Sequence, residues 1–181
     1  MATNRCVALL RGINVGGKNP VKMADLKACI EADGHTEVRT YIQSGNVLFT
    51  TDTPVKAIEE RLEGVLEERF GIPLVVVVRT HRQLRAVVED APAGFGTEPD
   101  RYHSDAIFLR APLTPAKAMK VVQLRDGVDQ AWAGKGVLYF ARLSEQRTKS
   151  KLNKIVGTPE YQQMTIRSWS TTTKLLALLD E

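Results

Sequence analysis

The order in which apolar patterns follow one another restricts this chain more than any single motif does. Up to Thr80 it reads strand, helix, strand, strand, helix, strand. "RCVALLRG" is a short apolar run ended by a glycine loop, so a first strand covers Arg5 to Leu10. After Pro20, Met23, Leu26 and Ile30 recur at helical spacing until Gly34. "EVRTYIQSGNVLFT" predicts a hairpin, with strands Val38 to Gln43 and Val47 to Thr50 around a turn containing Gly45 and Asn46. Pro54 and Gly71 bound the clearest helix, whose apolar stripe is Ile58, Leu62, Val65, Leu66 and Phe70. "PLVVVVRT" then reads as a buried strand.

Much the same order returns later. A short helix, Arg82 to Glu89, and the loop "DAPAGFGTEPDRYH" lead into a strand Asp105 to Leu109 and a helix Pro115 to Gln123. A hairpin of Gly127 to Ala133 with Val137 to Leu143 follows. After it come a helix Lys151 to Val156, a strand Met164 to Ser168 and a last helix Thr171 to Leu179. The expected fold class is α+β: two tandem ferredoxin-like (αβ plait) units with antiparallel sheets and extra helices. The expected segments are 1–80, a linker with a short helix over 81–101, and 102–181. A single larger α+β domain is the competing picture.

Apolar residues form 43 % of the 181 and charged ones 25 %, which supplies a core of ordinary size. "IPLVVVV" is far too short to span a bilayer, and no secretory pattern opens the chain, so no membrane partner is expected. Cys6 and Cys29 are the only cysteines, too few for a disulfide scaffold or a metal framework. A reduced, cytoplasmic protein is the plain reading, with no metal and no cofactor identified. The net charge of +4 permits contact with phosphates or nucleic acid without demanding it.

"LLRGINVGGKNP" is nearly a triphosphatase loop, with Gly12, Gly17 and Lys18 at the required spacing. Asn19 stands where a magnesium-binding hydroxyl belongs, and Pro20 keeps a helix from running on from Lys18. The apolar strand that should end in an Asp ends in Arg79. The match is a coincidence of spacing.

Topology says more than the motif. In a plait the right-handed crossover puts the end of the first strand and the central hairpin turn at one end of the sheet. That gathers Arg11, Asn14, Gly16, Gly17, Lys18 and Asn19 beside Gln43, Ser44, Gly45 and Asn46. Glycine amides and two cations suit an anion, although the glycines also serve as plain turn residues. The second half gathers Ser150, Lys151 and Asn153 with Arg167, Trp169 and Ser170, near two helix N-termini. There the serines read equally as helix caps, and Trp169 as a stacking ring or a core residue.

The stretches "LLRGINVGGKN", "TYIQSGNVLF", "KSKLNK" and "RSWSTTTKL" together resemble the bacterial family known only as domain of unknown function 1697. The resemblance covers nearly the whole chain. It implies the tandem plait arrangement and no activity. Where the family commonly has Arg-Asn-Trp-Asn-Thr, this chain has Arg167, Ser168, Trp169, Ser170 and Thr171, so hydroxyls replace two amides.

Three functions compete. A small anionic or phosphate-bearing ligand fits the polar loops, with a cleft between the halves as a further location. An enzyme on the same surface lacks an evident base: His35, His81 and His103 fall in turns or linker, and neither cluster holds Asp or Glu. RNA is a third partner, but the first half offers only Phe49 and Tyr41 for stacking. The leucines of the last helix leave the oligomeric state open.

Overall fold

The computed structural model describes residues 3–181 of the protein. The first six elements are strand β1 (Asn4–Leu10), helix α1 (Met23–Ala32), strands β2 (Thr36–Tyr41) and β3 (Asn46–Thr51), helix α2 (Val55–Phe70) and strand β4 (Val76–Thr80). Helix α3 (His81–Glu89) follows, then β5 (Tyr102–Leu109), α4 (Pro115–Val121), β6 (Asp129–Ala133) and β7 (Val137–Leu143). Strand β8 (Met164–Ser168) and helix α5 (Trp169–Asp180) complete the order. The strands form two four-stranded antiparallel sheets, β2-β3-β1-β4 and β6-β7-β5-β8. Two compact units result: residues up to Arg85 together with Leu175–Glu181, and Ala86–Lys174.

The first unit is held by the stripe read from the sequence. Ile58, Leu62 and Leu66 of α2 are fully buried and pack with Leu26 and Ile30 of α1 on Ala8, Leu10, Val47, Phe49 and Val76. Each such aliphatic side chain contributes about 1.5–3 kcal/mol of transfer free energy. Gly71 ends α2 at φ 68°, and its N–H donates to the Glu67 carbonyl. In the second unit Ile107, Leu109, Leu138, Phe140 and Met164 form the sheet side of the core. Ala118 of α4, Leu152 and Ile155 cover it.

Here the structure departs from the sequence reading. The expected helix Lys151 to Val156 is a 3₁₀ run, Leu152–Gly157, flanked by two more, Ser144–Lys149 and Pro159–Gln163. Leu152 and Ile155 lie three apart, the repeat of a 3₁₀ helix, and Gly157 and Pro159 deny a longer α-helix its later turns. Helix α4 also stops early, at Val121, because Val122 is extended. Among the described residues no helix is long and apolar enough to cross a membrane.

Candidate functional site

At one end of the first sheet the Arg11–Asn19 loop and the β2–β3 turn meet, as the crossover requires. Asn14 joins them. Its Nδ2 donates to the Gln43 carbonyl at 2.9 Å and the Val21 carbonyl at 3.0 Å, and its Oδ1 accepts from the Val21 N–H at 2.8 Å. Asn19 Nδ2 donates to the Gly12 carbonyl at 3.1 Å, and the Asn14 N–H donates to the Asn19 carbonyl at the same length. Asn46 is fully buried; its Nδ2 donates to the Tyr41 carbonyl and to Ser44 Oγ, both at 2.9 Å. The Leu10 N–H donates to the Gly45 carbonyl, and the Arg11 N–H to the Val75 carbonyl.

Three of these residues therefore spend their side-chain amides on the loops themselves. Gly16 and Gly17 are the centre of a two-residue turn, both at positive φ, between Val15 and Lys18, which pair as an isolated bridge. Gly45, at φ 90°, is needed for packing as well. A Cβ there would lie 2.8 Å from Ile13 Cδ1 and 2.9 Å from Leu10 Cβ. Asn14 and Asn19 also hold positive φ, as does Ile42 at φ 48°, a conformation that costs a β-branched residue energy. Lys18, Gln43 and Ser44 are exposed and Arg11 is half-buried on this rim, where Val15 and Ile42 stand 63 % and 49 % exposed.

The residues grouped in the second unit do not form one cluster. Strand alternation puts Arg167 on the face opposite Ile166, and it is Ile166 that packs on the core with Leu152 and Ile155. Arg167 is buried, and burial pushes its guanidinium down to about 10. Lys151 is fixed through its backbone: its N–H donates to Asp129 Oδ2 at 2.8 Å, which also accepts from the Arg125 N–H. Ser150 Oγ accepts from the Leu152 N–H at 3.2 Å, and Asn153 is exposed. The cap of α5 is Ser168 rather than Ser170, since Ser168 Oγ accepts from the Thr171 N–H at 3.2 Å. Ser170 Oγ lies 3.2 Å from Ser168 Oγ. Trp169 stacks edge-on with Phe95, ring centroids 4.9 Å apart, and stands 6.1 Å from Tyr139.

The sequence reading missed the polar start of β5. His103 belongs to that strand, not to the loop before it, and its Nε2 lies 3.5 Å from Asp105 Oδ2. Asp105 pairs with Ser168 in register and is buried. Desolvation raises its pKa, and the charges of His103 and Arg142 offset this only in part. His103, Ser104, Ser168, Trp169 and Ser170 line one cavity of about 400 Å³. In "YHSDAIFL" polar residues occupy the first four strand positions and the apolar run begins only at Ala106, so no alternation marked the start of the strand. Elsewhere the thiols are buried, and burial pushes Cys6 up to about 12, so it is no nucleophile.

A solved structure described as that of the conserved bacterial protein SP0830 from Streptococcus pneumoniae is similar over the whole chain. Its TM-score is 0.86 and its identity 28 %, covering 98 % of this chain and 99 % of that one. No curated protein matches. Residues 3–139 match the family described as "Protein of unknown function (DUF1697)", and the motifs "LLRGINVGGKN" and "TYIQSGNVLF" that build the rim lie within that span; this chain belongs to the DUF1697 family.

Proposed function

We propose that the protein binds a small anionic, phosphate-bearing ligand at the rim of the first unit. The charge of what meets there carries this reading. The segments Arg11–Lys22, Tyr41–Asn46 and Gly71–Val76 bring Arg11, Lys18 and Lys22 and no Asp or Glu of their own, while the Glu63 carboxylate that reaches Val76 from α2 accepts from its N–H at 3.1 Å. The Asn14 clasp fixes the first two segments to each other and the Arg11 N–H bond to the Val75 carbonyl ties in the third, so the cations meet a ligand on a backbone already ordered. With no carboxylate or imidazole in the three segments, binding rather than acid–base chemistry is what this composition supports.

The finer assignments belong to the same reading. They are two ferredoxin-like plaits in tandem, segments 1–80, 81–101 and 102–181, and a bacterial, cytoplasmic protein. The β2-β3-β1-β4 and β6-β7-β5-β8 orders support the plait assignment. Amide chemical shifts of Gly16, Gly17, Ser44 and Gly45 test the ligand during titration with inorganic phosphate and nucleoside mono- and triphosphates. Saturable shifts that Arg11→Ala with Lys18→Ala abolishes are expected; shifts that survive the double change sink the reading. The exposed Val15 and Ile42 favour RNA as a second reading, since apolar side chains beside cations suit a macromolecular surface. A steep fall of affinity with salt, seen with RNA alone, marks that case.

A further inference from the structure

We propose that the second unit carries a separate pocket for a planar nitrogen heterocycle bearing an amino group, centred on Ser104. The floor is made by the sheet. Gln130, Ala141 and Ser104 lie side by side on β6, β7 and β5, and the small central residues leave space above them. Two residues further along β6, Trp132 forms a wall, and Phe95 approaches it edge-on with centroids 5.9 Å apart. The cavity between them measures about 210 Å³ and adjoins the 400 Å³ cavity that holds Trp169; Gly96, Tyr102 and Ser104 line both.

One observation points to a ligand rather than to packing, and a second shows what encloses the site. Ser104 is 9 % exposed and lines both cavities, and its Oγ has no hydrogen-bond partner. A buried hydroxyl left unsatisfied is destabilising, and completing its bond is what a ring nitrogen or carbonyl does on entering. The second is the loop that covers the floor. Gly96 lies at φ 74°, where a Cβ would fall 2.1 Å from Trp169 Cδ1, so the loop rests directly on the indole. Turn hydrogen bonds from the Phe95 N–H to the Pro92 carbonyl and from the Thr97 N–H to the Gly94 carbonyl hold it folded.

The lining sets the ligand class. Aromatic rings at the wall favour a flat π system. Ser104 and Gln130 each donate and accept, while Glu98 at the cavity offers only acceptor oxygens, which an exocyclic amino group fills. Free nucleosides and bases of single-stranded RNA share this chemistry.

Tryptophan fluorescence of the full chain tests the pocket. The two tryptophans, Trp132 and Trp169, each border one of the cavities. Adenosine, cytidine and guanosine are titrated beside uridine, which has no amino group, and beside a short single-stranded RNA. Saturable quenching by an amino-bearing nucleoside is expected, weakened about tenfold in Ser104→Ala. Thermal stability of that variant should stay level or rise. Quenching by RNA alone, equally lost in Ser104→Ala, identifies a base in a strand as the source. Silence from every probe, or quenching that Ser104→Ala leaves intact, overturns the pocket. Uridine binding as well as adenosine overturns the amino-group assignment. Lys18→Ala should not alter the quenching, so failure of the rim reading and failure of this one remain distinct.

Discussion

Asn14 and Ser104 are polar residues in opposite circumstances. Asn14 uses both ends of its amide on its own backbone and ties two loops together. Ser104 is buried against the sheet and its hydroxyl goes unused. The comparison separates two kinds of candidate residue: those whose removal unfolds a local structure, and those whose removal costs the fold nothing. Polar residues gathered at one end of a sheet do not by themselves declare which kind they are. Their hydrogen-bond accounts do.

Breaking the rim should have the largest effect. Gly45→Ala adds a methyl group against Ile13 and Leu10 at a φ suited to glycine, and should destabilise the protein by about 3 kcal/mol in urea unfolding. Asn14→Ala should follow at about 2 kcal/mol, because it leaves the Val21 N–H without its acceptor and frees the Gln43 carbonyl. The same experiment on Ser104→Ala should give no loss, or a gain of up to about 1 kcal/mol. Equal losses for Asn14→Ala and Ser104→Ala would dissolve the contrast.

The smallest effect sharpens the second unit further. Asp105 has its folded-state pKa raised above the ordinary 3.8, with burial the first cause. The folded protein then holds the proton more tightly than the unfolded chain. Stability from this group is present below 3.8 and declines as pH rises through the raised value. Asp105→Asn should remove that decline, leaving a flatter profile of unfolding midpoint against pH across the same window.

Much of the architecture was legible because it rests on periodicity. The α2 stripe, the hairpins and the buried run before Arg79 all announced themselves through apolar spacing. The junction of Arg11–Asn19 with Gln43–Asn46 followed from chain crossover alone. What Asn14 does there was not legible, since its bond to the Gln43 carbonyl spans residues that no local pattern connects. Strand β5 was started three residues late because Tyr102, His103 and Ser104 carry no apolar alternation, and with them went the His103–Asp105 pair. Arg167 was misplaced for a simpler reason: a sheet has two faces, and a list of loop neighbours does not say which one a side chain takes.

The last turns of α5 bear on how the protein is made. Leu175–Glu181 belongs with the first unit. There Arg39 donates to the Glu181 carboxylate and to the Leu178 carbonyl, both at 2.7 Å, and Asp180 accepts from Arg85. On the ribosome, then, the unit begun first is the one finished last. Its sheet emerges early, but the segment that completes it appears only after Ala86–Lys174 has been synthesised, so for most of translation the first unit waits for a piece encoded beyond its successor.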